Sequence, residues 1–80
     1  MTAIVVPGDG RPDEAPGADK LVGIDGNVFS VMGATSKLLR RAGASPDFVK
    51  AYQAEATSGD YDHAIGASIA YLDAEKDGAR

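Results

Sequence analysis

The feature that most constrains this chain is the spacing of helix-starting and helix-stopping residues between Leu21 and Asp73. Asp25-Gly26-Asn27, Gly43-Ala44-Ser45-Pro46-Asp47 and Ser58-Gly59-Asp60 divide that block into stretches of helical periodicity. Either Asn27 or Asp25 can accept from the unpaired N–H groups of a following first turn. Ser45 is a good N-cap, Pro46 suits the first helical position, and Asp47 complements the positive end of the helix dipole. Asp60 can cap in the same way, with Asp62 in the first turn behind it. Gly43 and Ser58-Gly59 supply the stops. These signals predict helices over 28–42, 46–58 and 60–73.

The apolar residues recur at three- and four-residue spacing within each stretch, as one buried helix face requires. Val28, Val31, Met32, Thr35, Leu38, Leu39 and Ala42 share a face of the first helix. Phe48, Val49, Tyr52 and Ala56 supply the second, and Tyr61, Ile65, Ile69 and Leu72 form a narrow stripe on the third. The expected core is Val28, Met32, Leu39, Phe48, Tyr52, Ile65, Ile69 and Leu72. Links of about three residues favour consecutive helices packing on one another.

Ahead of this block lie short β-branched runs, Ala3–Val6 and Leu21–Ile24, which read as strands. Between them, residues 7–19 hold three of the four prolines and several glycines. Such a segment is expected to be a mobile loop or tail, or else a long connection between the two paired strands. The domain plan is therefore a flexible segment over 1–19 (with a strand at 3–6), a helical domain over 20–74 and a flexible tail over 75–80. The fold class is mainly α: a small three-helix domain preceded by one or two short β-strands.

At 80 residues the chain is bounded to one domain, and a domain of that size is marginal in stability. It has no cysteine, so disulfides and thiolate metal sites are excluded, and a reducing cytoplasmic location is the expectation. The formal net charge of -4 and a pI of about 4.6 argue against nucleic-acid binding through a broad basic surface. No basic signal region and no long apolar stretch are present, so no membrane association is expected.

The helical block resembles a set of short, uncharacterised bacterial and phage accessory proteins. The residues that carry the resemblance are Asp25-Gly26-Asn27, Phe29, Met32-Gly33, Leu39, Ala42-Gly43 and the run Glu55 to His63, with Thr57 in a variable position. The match covers roughly two thirds of the chain. It implies a chromosomal, plasmid or phage accessory protein and supplies no reaction.

Asp60, Asp62 and His63 form the densest group of candidate metal ligands, and a metal-dependent, hydrolase-like site there is one reading. A helix cap with first-turn acids explains the same residues more simply. Asp25-Gly26-Asn27 fails as a calcium loop, because its twelfth position is Ser36 rather than a Glu. Gly8-Asp9-Gly10 lacks a following helix to hold a phosphate. No complete nucleophile–base pair is evident, so no catalytic residue, metal or cofactor is expected. Lys37, Arg40 and Arg41 form a local basic group that could carry a nucleic-acid accessory role. A helix-turn-helix reading is poor, since the second helix offers Lys50 and Gln53 against Asp47 and Glu55. The favoured expectation is a non-catalytic protein-interaction module. Phe29, Val31 and Tyr71 fall outside the best core stripes and are expected on the contact surface, with another protein or a second copy as partner.

Overall fold

In the computed structural model, which describes residues 4–75, three α-helices follow a short 3₁₀ turn at Ala18–Leu21. They are α1 (Val28–Arg41), α2 (Pro46–Ala56) and α3 (Tyr61–Leu72), and each packs on the other two. The caps act as their chemistry dictates. Asn27 accepts from the Phe29 N–H at 2.8 Å, Ser45 from Phe48 at 3.1 Å and Asp60 from His63 at 2.9 Å. Gly43, at φ 97, closes α1: its N–H donates to Arg40 O, and the Ala44 N–H donates to Leu39 O. That Schellman pairing satisfies carbonyls the helix end would leave open, and it buries Ala44 beside the core.

The core is built from α2 outward. Phe48, Val49, Tyr52 and Ala56 are buried on α2, Leu39 and Thr35 on α1, and Ala64, Ala67, Ser68, Tyr71 and Leu72 on α3. The Tyr71 ring lies 5.1 Å from Phe48 and 5.4 Å from Tyr52, in tilted and edge-on contacts that aromatic quadrupoles favour. Small residues at 64, 67 and 68 leave room for these rings. The expectation for α3 is corrected here. Tyr71 sits in the core at 1% exposure, while Ile69 is 43% exposed and Ile65 half-buried. Val28 and Met32 are half-buried against the core rather than within it.

No strand occurs among the described residues, so the expected strands at 3–6 and 21–24 are not formed; residue 3 lies outside the described residues. Leu21–Ile24 has the β-branched composition of a strand but no partner to pair with. Its backbone bonds locally instead, with Val22 N–H to Asp19 O and Ile24 N–H to Leu21 O, each at 3.1 Å.

Residues 7–19, expected to be mobile, instead make specific contacts with the helix ends. The Arg11 guanidinium donates to Pro7 O at 2.7 Å and Val6 O at 3.0 Å, which folds the segment over Pro12, one of the fully buried residues. Gly10 O accepts from the Ser45 N–H at 2.9 Å, ahead of α2, and the Gly17 N–H donates to Leu72 O at 2.9 Å, beyond α3. The Ala18 N–H donates to Asp73 Oδ1. Gly10 has φ 82, and a Cβ there would collide with Ser45 Oγ, so glycine is needed for this close approach. Residues 76–80 of the expected tail lie outside the described residues. No helix among the described residues is long and apolar enough to cross a membrane.

Candidate functional site

The turn between α2 and α3 brings together the residues that gave the metal and hydrolase readings. His63 Nε2 lies 2.6 Å from Glu55 Oε2 and 3.3 Å from Ser58 Oγ. Ser58 Oγ also donates to Glu55 O at 2.8 Å. A Cβ on Gly59 would come within 2.9 Å of the His63 ring, so the absent side chain lets the imidazole lie against the turn. Asp60 is committed to capping α3, and Asp62 is exposed two residues further on. Chemically this is a clasp. Glu55 and Ser58 both address the same ring nitrogen, whereas a relay that activates a serine needs the serine and the orienting acid on opposite ring nitrogens. Among the described residues no three His, Asp or Glu side chains group as a metal set. The arrangement ties the last turn of α2 to the first turn of α3.

A different surface lies beside that clasp, at the end of the molecule where α1 and α3 begin. Phe29, on the first turn of α1, is 80% exposed, and Tyr61, on the first turn of α3, is 48% exposed. Tyr61 Oη donates to Gly26 O at 2.7 Å, which fixes its ring as a ridge between two apolar hollows. One, of about 340 Å³, is lined by Leu21, Val22, Ile24, Val31, Ile65 and Ile69 among others. The second, of about 270 Å³, is lined by Val28, Phe29, Met32, Ala56 and Ala64 together with Asp60. Tyr61 belongs to both. The Val22 side chain stands out at 84% exposure.

Asp60 lines the second hollow, whereas Asp62 lines a separate recess with Ile4, Glu55 and His63. Among the described residues, no Lys or Arg lines either hollow. Lys20 belongs to a separate recess with Glu14 and Arg41. Lys37, Arg40 and Arg41 are exposed toward the far end of α1, and Arg41 is twelve residues, about 18 Å of helix rise, from Phe29. The following α2 buries its apolar face in the core and shows Asp47 and Lys50 to solvent, which leaves little to read a nucleic-acid groove.

Of the three residues expected at a contact surface, Phe29 is exposed. Val31 and Tyr71 are corrected to buried positions, at 5% and 1% exposure. The exposed apolar residues that sequence reasoning missed are Val5, Val22, Ile24, Tyr61 and Ile69, Val5 lying in the run read as the first strand. Val22 and Ile24 were assigned to a strand, and Tyr61 and Ile69 to the core stripe of α3. No family model matches the chain, and neither a curated protein nor a solved structure matches it.

Proposed function

We propose that this chain is a small, non-catalytic protein-interaction module that engages another protein through the apolar surface around Phe29 and Tyr61. The observation that supports this reading is the exposure of Phe29 beside two apolar hollows on a domain with little core to spare. A large aromatic side chain held at 80% exposure at a helix start contributes little to folding, and contiguous apolar surface of this kind marks contact sites. The resemblance of Asp25–Asn27 and Glu55–His63 to bacterial and phage accessory proteins fits a cytoplasmic adaptor role. The partner is a different protein or a second copy of the chain.

The test is affinity capture from the native cell with the wild-type chain and with Phe29→Ser, after circular dichroism has established that both are folded. A defined partner held by the wild type and lost from the variant supports the proposal. Identical capture by both proteins overturns it. So does nucleic-acid binding that survives physiological salt and disappears when Arg40 and Arg41 are neutralised.

A further inference from the structure

We infer that Asp25–Gly26, in the exposed turn ahead of α1, is a site of spontaneous backbone modification: it isomerises through a cyclic imide to a β-linked aspartate, and the altered turn releases Tyr61. This modification requires no partner and is independent of the interaction reading.

The chemistry asks for an aspartate whose carboxyl can meet the next nitrogen in the chain. It also asks for a following residue with no Cβ to obstruct the approach, and for a backbone free to rotate into the ring. The described Asp–Gly pairs are Asp9–Gly10 and Asp25–Gly26. At Asp25 every condition is met. Positions 22–27 are all exposed. Asp25 Oδ1 accepts from the Asn27 N–H at 3.2 Å, a contact that lays the carboxyl alongside the Gly26 peptide and draws electron density from Cγ. Among the described residues, none accepts from the Gly26 N–H, the attacking group. At Asp9 the freedom to rotate is missing. Gly10 O accepts from the Ser45 N–H at 2.9 Å, and the half-buried Gly10, at φ 82, has Ser45 where a Cβ would stand. Closing the ring there would have to pull Gly10 away from the start of α2.

The steps need no co-reactant but water. The Gly26 nitrogen attacks Cγ of the un-ionised Asp25 carboxyl. An N–Cγ bond forms, a Cγ–O bond breaks, and the amide proton leaves with the hydroxyl as water. Water then adds at the main-chain carbonyl carbon of Asp25, whose bond to the Gly26 nitrogen breaks as that nitrogen regains a proton. The chain now runs through Cγ and is one atom longer, and the former main-chain carbonyl carbon becomes a free carboxyl. The insertion displaces the Gly26 peptide, whose oxygen accepts from Tyr61 Oη at 2.7 Å. Tyr61 thereby loses the hydrogen bond that fixes its ring between the two apolar hollows.

The test is timed incubation of the full chain at mildly acidic pH, in buffer and in guanidinium, followed by tryptic peptide mapping. Cleavage after Lys20 and Lys37 puts Asp9 and Asp25 on separate peptides, and electron-transfer fragmentation distinguishes β-linked from ordinary aspartate. In buffer, conversion at Asp25 should run several-fold faster than at Asp9 and close to its own rate in guanidinium. Gly26→Ala, whose Cβ would meet Tyr61 Oη at an ordinary 3.6 Å, should stay folded by circular dichroism and slow the conversion several-fold. Equal rates at the two sites in buffer overturn the inference, as does conversion at Asp25 many times slower in buffer than in guanidinium, or undiminished conversion in Gly26→Ala. Converted protein, separated by ion exchange, should melt at a lower temperature than the unconverted chain, and the difference should shrink in Tyr61→Phe. An equal difference in both chains overturns the link to Tyr61.

Discussion

The most informative perturbation lies in the core, where Tyr52 and Ser68 are both at 0% exposure and their hydroxyls meet at 2.6 Å. Ser68 has one hydroxyl hydrogen, and its Oγ donates to Ala64 O at 2.9 Å. The Tyr52 phenol must then be the donor in the contact with Ser68. Tyr52→Phe removes one hydrogen bond but leaves the serine with its own acceptor, so it should cost about 0.5–1.5 kcal/mol. Ser68→Ala removes the acceptor and strands a buried phenol, at about 1–3 kcal/mol, offset by about 0.5 kcal/mol from the better helix propensity of alanine.

The decisive measurement is Tyr52→Phe made on the Ser68→Ala background. There the phenol has no partner, so deleting it should stabilise the protein by about 1 kcal/mol or more. The ring itself is retained and keeps its edge-on contact with Tyr71. Urea denaturation of the wild type, both single variants and the double variant, followed by far-ultraviolet circular dichroism, gives all four free energies. The expected outcome is a reversal of sign between the two backgrounds. An equal loss on Tyr52→Phe in both would refute the donor assignment and the claim that the phenol has no other acceptor.

Thr35 is also fully buried, and its Oγ1 has no hydrogen-bond partner; Thr35→Val should raise stability by about 1 kcal/mol, seen as a higher Tm in a thermal melt. Burial, and then the charge of Glu55, raise the Tyr71 pKa above the ordinary tyrosine value of 10.0. The unfolded chain therefore releases that proton first as pH rises above 10.0, so stability is complete below that pH and falls above it until the folded phenol ionises too. Denaturant midpoints measured across that range should fall less steeply for Tyr71→Phe than for the wild type; parallel curves would contradict the assignment. Leu39→Ala, at a position with 0% exposure, should cost about 2–5 kcal/mol by the same denaturation. Gly10→Ala should cost about 1–2 kcal/mol from its left-handed backbone, with a further loss as Ser45 is displaced, whereas Gly8→Ala, with open space around it, should be near neutral in the same melts.

The helix starts and stops were legible because each is local. A capping oxygen at Asn27, Ser45 or Asp60 acts within its own first turn, and Gly43 closes α1 through neighbours in sequence. The N-terminal segment was not legible, and composition explains why. Residues 7–19 hold too little apolar surface to form a core of their own, which is the signature of mobility. In the folded chain its backbone makes polar contacts at remote helix ends, at Ser45, Leu72 and Asp73, and Arg11 donates to Glu75 O. Nothing in a Pro- and Gly-rich string announces which distant N–H or carbonyl it will meet. The strand expectation failed for a related reason. Val22 and Ile24 have β-branched side chains, but a strand exists only with a partner strand.

The choice of face on α3 shows what periodicity alone leaves open. Tyr61, Ile65, Ile69 and Leu72 form the bulkier apolar stripe, so a reading by side-chain size assigns that stripe to the core. The stripe that α2 requires is the one with space on it. Phe48 and Tyr52 fill the interface, so α3 turns Ala64, Ala67 and Ser68 toward them and inserts a single ring, Tyr71, between. Packing density, rather than hydrophobicity, decides the orientation. Ile65, Ile69 and Tyr61 are then left for the face toward α1, where the 3₁₀ turn at Ala18–Leu21 and the Val22–Ile24 segment cover them in part. The same event that fills the core with aromatic rings thus creates the apolar surface outside it. Phe29 adds to that surface because Asn27 caps α1 two residues earlier and sets the first turn with its aromatic side chain outward. Asp60 caps α3 at the same rim. The exposed aromatic side chains of Phe29 and Tyr61 thus stand at the helix starts themselves.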